Sequence, residues 1–417
     1  MFNRVRGTQD ILPQDSLAWQ DIEDAARRTF SFYGYKEIRT PFIEKAPLFN
    51  HSLGETTEIV QKQMFEIRHD KDHLVLRPEG TASIVRAYLE NNLDKREAVA
   101  KLYYIGPMFR AERPQKGRLR QFHHLGVEAL GSLSPYLDIE VISLSNRLLK
   151  EFGITDYQIC LNSLGCANDK ALFAKELREK LNSSLNKLCV DCQNRFKRNI
   201  FRILDCKNPV CRRVVSGLEL KQDYLCSSCS EHFKTVTDGL KSIDLNYQLF
   251  PSLVRGLDYY TRTVFEIRHA NLGAQDALGA GGRYDNLVSR LGGKECGAMG
   301  FAFGIERLLL AGGLKSLPEN QGLIYIIALG EQAEKKGVCL LQALRVNHIC
   351  ADMDYTGRSL KARMRQANES GARCCVIIGD EELEKGSVSL KDMVSGEQKE
   401  VSEKDLLKCC EHILAEN

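Results

Sequence analysis

Apolar residues recur at helical spacing through Leu17, Trp19, Ile22, Ala25, Ala26, Phe30 and Tyr33, and Gly34 closes the run, so the pattern predicts a helix over 15–33. A strand over 36–39 follows and stops at Thr40 and Pro41. Residues 64–68 and 74–76 pattern as a strand pair about a polar turn, Thr81 opens a helix to Glu90, residues 136–152 read as a helix and 157–161 as a strand. Between 167 and 245 the texture becomes helical, Lys-rich and Cys-rich before strand patterns resume at Leu253, which marks an insertion. After a linker over 312–322 the chain alternates: strand 323–329, helix 332–347, strand 350–353, helix 359–370, strand 374–378, and a closing helix over 403–415. That βαβαβ order predicts a parallel-containing sheet with right-handed crossovers in a separate α/β domain. The tetrapeptide at 65–68 recurs at 265–268, too short a match to indicate a repeat architecture.

Residues 106–131, GPMFRAERPQKGRLRQFHHLGVEALG, are two strand-like runs joined by a basic loop, with charges where a buried sheet should be apolar. Alternation puts Met108, Arg110 and Glu112 on one side of the first arm and Phe122, His124, Gly126 and Glu128 on one side of the second. Phe109, Val127 and Leu130 need burial, so the hairpin belongs in a sheet, where an unpartnered Arg or Glu is costly. If the two sides coincide, they offer a guanidinium for a phosphate, an aromatic plane for a base and carboxylates for amines. Arg suits the first task because its planar fork matches phosphoryl oxygens and stays charged.

At 417 residues the chain has room for two or three domains with real cores. A composition of 43% hydrophobic and 27% charged residues is that of an ordinary globular protein. No apolar run has signal-peptide or membrane-span length, so a cytoplasmic location and no membrane partner are expected. A net charge of +3 and a pI near 8.1 confine any nucleic-acid contact to local patches. Of fifteen cysteines, six cluster as CVDC, CKNPVC and CSSC. In a cytosolic chain thiols mean packing, metal or reactivity. Two Cys-x-x-Cys pairs, Cys189 with Cys192 and Cys226 with Cys229, fit a four-thiolate structural zinc site; six thiols exceed four ligands, and ordinary reduced cysteines are the other reading.

Five stretches, taken in order, resemble class II aminoacyl-tRNA synthetases and, among them, the histidyl-tRNA synthetase family. GYKEIRTP at 34–41 is similar to the first class II motif, a dimer-interface helix and strand; residues 109–128 resemble the second and GFAFGIERLL at 300–309 the third. LVRGLDYYTRTVFE from Leu253 and AGGRYDNLVSRLGG from Ala280 resemble segments peculiar to the histidine enzymes, and the likeness spans nearly the whole chain. The resemblance implies an α+β antiparallel-sheet class II synthetase catalytic core over 1–320, with the helical Cys-rich insertion at 167–245 inside it, plus a C-terminal α/β anticodon-binding domain over 322–417. It further implies ATP-dependent ligation of histidine to its cognate tRNA through histidyl-adenylate, with Mg²⁺, by a homodimer.

The same resemblance assigns residues. Arg110 would bind the α-phosphate, Phe122 stack on adenine, Glu112 read the adenine amino group, and Arg307 lie against the γ-phosphate or the other adenine face. Gly300 and Gly304 would let the nucleotide lie close to backbone. Arg255 would bridge the substrate carboxylate and the α-phosphate, acting with Arg110 in catalysis by fixed positive charge. Glu79 and Thr81 would bind the histidine amine, Glu128 and Tyr260 its ring, with Tyr284 closing the pocket; such a polar site rejects analogues without an editing domain. His124 stands where the family often carries Gln, and two readings stand: donor to the substrate carboxylate, or satisfied core histidine. In the loop, Gln115 would read an extra 5′ guanosine of the tRNA, while Arg113, Lys116 and Arg118 grip phosphates. In the C-terminal helix, Lys361 and Arg365 lie one turn apart with Arg358 and Arg363 nearby, which suits a phosphate-facing side. The alternative is a non-catalytic, synthetase-like regulatory subunit of histidine biosynthesis; such chains typically lack the anticodon domain and part of the ATP constellation, whereas this one keeps Arg110, Arg307 and everything after Gly322. A synthetase for another amino acid is disfavoured by RGLDYY and GGRYD.

Overall fold

The computed structural model describes residues 2–55, 57–69, 71–115, 117–273, 276–313 and 322–415, in two compact units, Met1–Ser316 and Leu317–Asn417. The larger unit is built on an eight-stranded sheet in the order Lys36–Glu37, Ala100–Phe109, Gln121–Leu130, Ala298–Gly304, Ala277–Arg283, Thr261–His269, Tyr157–Ser163, Gln248–Leu249. Its interior pairs are antiparallel, and the two edge pairs are parallel. A small antiparallel sheet of Ile43–Lys45, Asp72–Leu76 and Phe65–His69 stands beside it.

Alternation along Gln121–Leu130 gives this sheet two unlike faces. Leu125, Val127 and Ala129 pack into one core with Trp19, Ile22 and Phe30 of the Pro13–Phe32 helix, Leu144 and Leu148 of Pro135–Glu151, and Val236 and Leu240 of Ser227–Ser242. Burial of each large apolar side chain contributes roughly 1.5–3 kcal/mol. The residues between them face a second cluster that contains Tyr104, Tyr259, Tyr260 and Tyr284. That second cluster also holds residues of the helices Ala46–Leu53 and Thr81–Glu90, and its polar and aromatic members are the ones that can carry chemistry.

Most expected elements are present within a few residues, and the fold class is the expected one. Two differences in the larger unit have physical causes. The first hairpin arm ends at Phe109, which is only half-buried, so alternation does not govern Arg110 and Glu112; the Glu112 N–H turns back onto the Arg110 carbonyl at 2.7 Å. Residues 253–260 form no strand, and the next begins at Thr261. There Asn162 Nδ2 donates to the Leu253 carbonyl at 2.9 Å and Arg202 Nη1 to the Gly256 carbonyl at 2.9 Å, so side chains satisfy backbone that a neighbouring strand would otherwise pair.

In the smaller unit Ala351–Met353, Leu323–Ala328 and Ala372–Ile378 are parallel as expected, and Ser387–Asp392 with Gln398–Ser402 add an antiparallel hairpin that the polar-rich sequence concealed. Arg363, expected on a phosphate-facing side, is instead buried, donating to the Arg358 carbonyl at 2.7 Å and to the Ala328 carbonyl. Lys361 and Arg365 are exposed. Among the described residues, no helix is long and apolar enough to cross a membrane.

A buried ionic knot joins sheet, helix and insertion. Arg283 is fully buried against Asp138, with Asp285 at 3.0 Å, while the other Asp138 oxygen meets His232 Nε2 at 2.9 Å. Removing the cation strands buried carboxylates, so Arg283→Met should destabilise the larger unit by about 3–5 kcal/mol in equilibrium denaturation, and a loss below about 1 kcal/mol would show that the knot carries no weight.

Candidate active site

A cavity of about 380 Å³ opens on the second face of the sheet. Glu128 lies in its wall, 2% exposed, and accepts hydrogen bonds from Thr81 Oγ1 at 2.6 Å, from Tyr104 OH at 3.5 Å and from Tyr284 OH. No guanidinium contacts it among the described residues. Burial therefore dominates and pushes its carboxyl up to about 8, against the opposing pull of the Thr81 and Tyr284 hydroxyls. Glu79 is also buried, and burial raises its carboxyl; both its oxygens accept backbone N–H groups, of Thr81 and Ala82 at 2.8 Å each, at the start of the Thr81–Glu90 helix.

Glycines make room for this arrangement. A Cβ at Gly300 would stand 2.0 Å from Glu128 Oε2 and 2.4 Å from the Val127 carbonyl, so this cavity-lining glycine makes room for the Glu128 carboxylate. A Cβ at Gly304 would make only an ordinary 3.6 Å contact with Arg307. At Gly126 a Cβ would lie 2.7 Å from the Tyr104 ring, which explains how that tyrosine reaches Glu128.

Cationic and aromatic groups line the same cavity. Arg110 is held by its Nε on the Pro78 carbonyl at 2.9 Å and lies over the Phe122 ring, 5.2 Å from its centroid. Glu112 faces Arg118 at 3.0 Å and Arg110 at 3.9 Å, so Arg118 points inward instead of out along the loop. Arg307 donates to the Gly117 carbonyl at 3.0 Å, and its neighbour Glu306 accepts the His123 backbone N–H at 2.9 Å, pinning the Ile305–Leu310 helix to the hairpin. Arg255 pairs with Glu266 at 2.5 Å, and Glu266 in turn accepts Arg268 Nε at 2.8 Å. The Arg255 Nε is buried without a partner among the described residues.

His124 meets the Phe122 ring edge at 5.0 Å between centroids. Its pKa lies well below the usual histidine range, first through burial and then through Arg110, Arg77 and Arg307, so the ring is neutral. Its Nδ1 is buried with no hydrogen-bond partner among the described residues, which removes the reading of a satisfied core histidine. Tyr260 and Tyr284 flank Tyr259, with ring centroids 4.6 and 5.6 Å from it.

Tyr104, Tyr259, Glu266 and Arg268 line the cavity and were not singled out from sequence. For Glu266 and Arg268 a signal existed: charges at alternate positions of the otherwise buried strand Thr261–His269, the same sign that marked the hairpin. In the loop, Arg113 and Gln115 are exposed, and Lys116 lies outside the described residues. The expected four-thiolate set is divided. Cys189 and Cys192 gather with Cys206 and Cys211, whereas Cys226 and Cys229 gather with Cys166 and Asp169, because each Cys-x-x-Cys pair opens a different helix.

The family model described as Histidyl-tRNA synthetase matches residues 7–308, and that described as Anticodon binding domain matches 323–412. A histidine–tRNA ligase of Halothermothrix orenii is 48% identical over 97% of this chain and 97% of its own, and one of Thermosipho melanesiensis is 43% identical over 96% of each. The solved apo histidyl-tRNA synthetase of S. aureus superposes with a TM-score of 0.80 at 35% identity, over 98% of this chain and 99% of its own. A Bacillus halodurans C chain described as an ATP phosphoribosyltransferase regulatory subunit/histidyl-tRNA synthetase is 23% identical with a TM-score of 0.65, over 88% of this chain and 96% of its own, a likeness of fold alone.

Glu128 holds its proton more tightly folded than unfolded, so its contribution to stability is full below the ordinary carboxylate range and is lost as pH rises toward about 8. Glu79, shifted the same way, adds to the trend. His124, shifted the opposite way, works against this trend below the ordinary histidine range, so denaturation of the ligand-free chain from about pH 6.5 to about pH 8 should show the loss of stability, and Glu128→Gln should reduce it. Equal pH dependence in both proteins would mean that Glu128 is already ionised.

Proposed function

Because the chain belongs to the histidyl-tRNA synthetase family, we propose that the cavity of the larger unit is where histidine and ATP meet and that its own residues divide the work as follows. The chain is an aminoacyl-tRNA ligase that charges tRNA with histidine. The observation that carries the residue assignments is the convergence in one cavity of two buried carboxylates, Glu79 and Glu128, with three arginines, Arg110, Arg255 and Arg307.

Glu79 and Thr81 receive the substrate ammonium, while Glu128 and Tyr260 hold the imidazole, with Tyr284 fixing the Glu128 carboxylate. The spare Nε of Arg255 and the neutral His124 ring then face the substrate carboxylate. One carboxylate oxygen attacks the α-phosphorus as the bond to pyrophosphate breaks, and charge gathering on the phosphoryl oxygens is met by Arg110 and Arg255. Phe122 stacks on adenine, Glu112 accepts its amino group, and Arg307 lies on the nucleotide. Two guanidinium groups already paired with Glu112 and Glu266 need little reorganisation at that moment.

Mg²⁺ would be held by the substrate phosphates with Glu266 as a hard oxygen donor on the cavity wall, since this ion prefers one or two carboxylates together with phosphates, and it would supply charge that offsets the phosphates. The terminal ribose hydroxyl of the tRNA then attacks the acyl carbon and AMP leaves. Gln115 reads the 5′ end, with Arg113 and Lys116 on phosphates, while the unit after Gly322 takes the anticodon. We place the working enzyme in the cytoplasm as a homodimer, which the likeness of residues 34–41 to a dimer-interface motif supports. The regulatory-subunit alternative has less support, since residues 323–412 match an anticodon-binding domain.

Pyrophosphate exchange into ATP should depend on histidine; histidine binding without exchange would favour the regulatory alternative. Arg255→Ala should lower that exchange by about 10²–10³-fold or more, and activity within a few-fold of wild type would refute its role.

A further inference from the structure

We propose that the thiols of Cys189, Cys192, Cys206 and Cys211 hold one structural zinc ion, which fastens residues 193–207 of the insertion to the wall of the catalytic cavity. The four sulfur atoms all lie within 4.8 Å of one another, with Cys189 Sγ and Cys206 Sγ 3.9 Å apart. Zinc–thiolate bonds of about 2.3 Å in a tetrahedron require sulfur–sulfur edges of about 3.8 Å, so the ligands stand near their places. A disulfide needs about 2.05 Å, and every cysteine of the chain is a free thiol.

The surroundings favour a closed metal site. Cys192, Cys206 and Cys211 are buried, and the Cys189 backbone N–H donates to Cys211 Sγ at 3.2 Å, the kind of bond that supports a thiolate ligand. The insertion has a small core of its own, and these three cysteines are among its ten buried members. A small core is the setting in which a metal stabilises a fold outright. An all-thiolate tetrahedron selects zinc over hard cations.

The second thiol group differs. The Asp169 carboxylate already accepts the N–H groups of Cys166 at 3.1 Å and Cys226 at 3.0 Å, at the shared start of the helices Ala167–Asn182 and Ser227–Ser242. Helix capping explains that cluster, and no metal is assigned to it.

Between Cys192 and Cys206 the chain carries the contacts that couple the insertion to the cavity. Arg195 and Arg202 both reach Glu58, at 2.8 and 3.5 Å; Arg202 also donates to the Gly256 carbonyl beside Arg255, and Asn199 donates to Asp258 at 3.0 Å. Leu204 and Asp205 line the cavity itself. A metal closing this loop at both ends would hold those groups in register.

Elemental analysis of the full chain purified under reducing conditions should find one zinc per chain, lost in Cys206→Ser/Cys211→Ser and kept in Cys226→Ser/Cys229→Ser. Metal-free folded wild type, iron in place of zinc, or zinc lost only from the second variant would overturn the assignment. Should the first variant not fold, cobalt(II) exchanged into wild type should show thiolate-to-metal charge-transfer absorption, and its absence counts against the site. Chelation that removes the zinc should raise KM for histidine reversibly; an unchanged KM after verified metal loss would overturn the fastening role. Metal content is independent of activity, so it separates this proposal from the assignment of the cavity.

Discussion

A carboxylate buried without a cation is the constraint around which the larger unit is organised. Glu128 is tolerated because Thr81, Tyr104 and Tyr284 turn hydroxyls toward it and because Gly300, opposite it on the next strand, leaves its oxygen room. Each of those partners is fixed by something else: Thr81 by the helix that Glu79 caps, Tyr104 by the empty space at Gly126, and Tyr284 by its place beside the buried knot of Arg283. The specificity chemistry and the stability of the sheet are thus built from the same residues.

The arginines follow the opposite rule. Arg110 and Arg118 share Glu112, which leaves that cluster a net positive charge, and Arg255 and Arg268 share Glu266, with Asp276 also near Arg268, so in each cluster a carboxylate sets the geometry in advance. Fixed cations cost little to reorient when phosphate charge develops. The site sets acids without a cation beside arginines that share carboxylates, which suits a zwitterionic amino acid next to a polyanion.

Much of this was legible in the chain because a period of two is hard to hide: Phe122, His124 and Glu128 alternate with Leu125, Val127 and Ala129, and the structure sends the two sets to opposite faces. Legibility failed where local pattern does not decide. Arg110 and Glu112 lie past the strand end, Arg363 is drawn inward by distant carbonyls, and the cysteine grouping follows from where four helices begin, which spacing alone does not encode. At Gly300 the need for a glycine beside Glu128 depends on a neighbouring side chain that the chain's local pattern does not show.

The Ser227–Ser242 helix closes the insertion in sequence yet belongs to the principal core, where Phe233, Val236 and Leu240 pack and His232 caps Asp138. The inserted segment is therefore not a detachable appendage. A shortened enzyme made by deleting all of it would lose a supporting wall of the scaffold, and any viable truncation must stop short of that helix and rejoin the chain ahead of it.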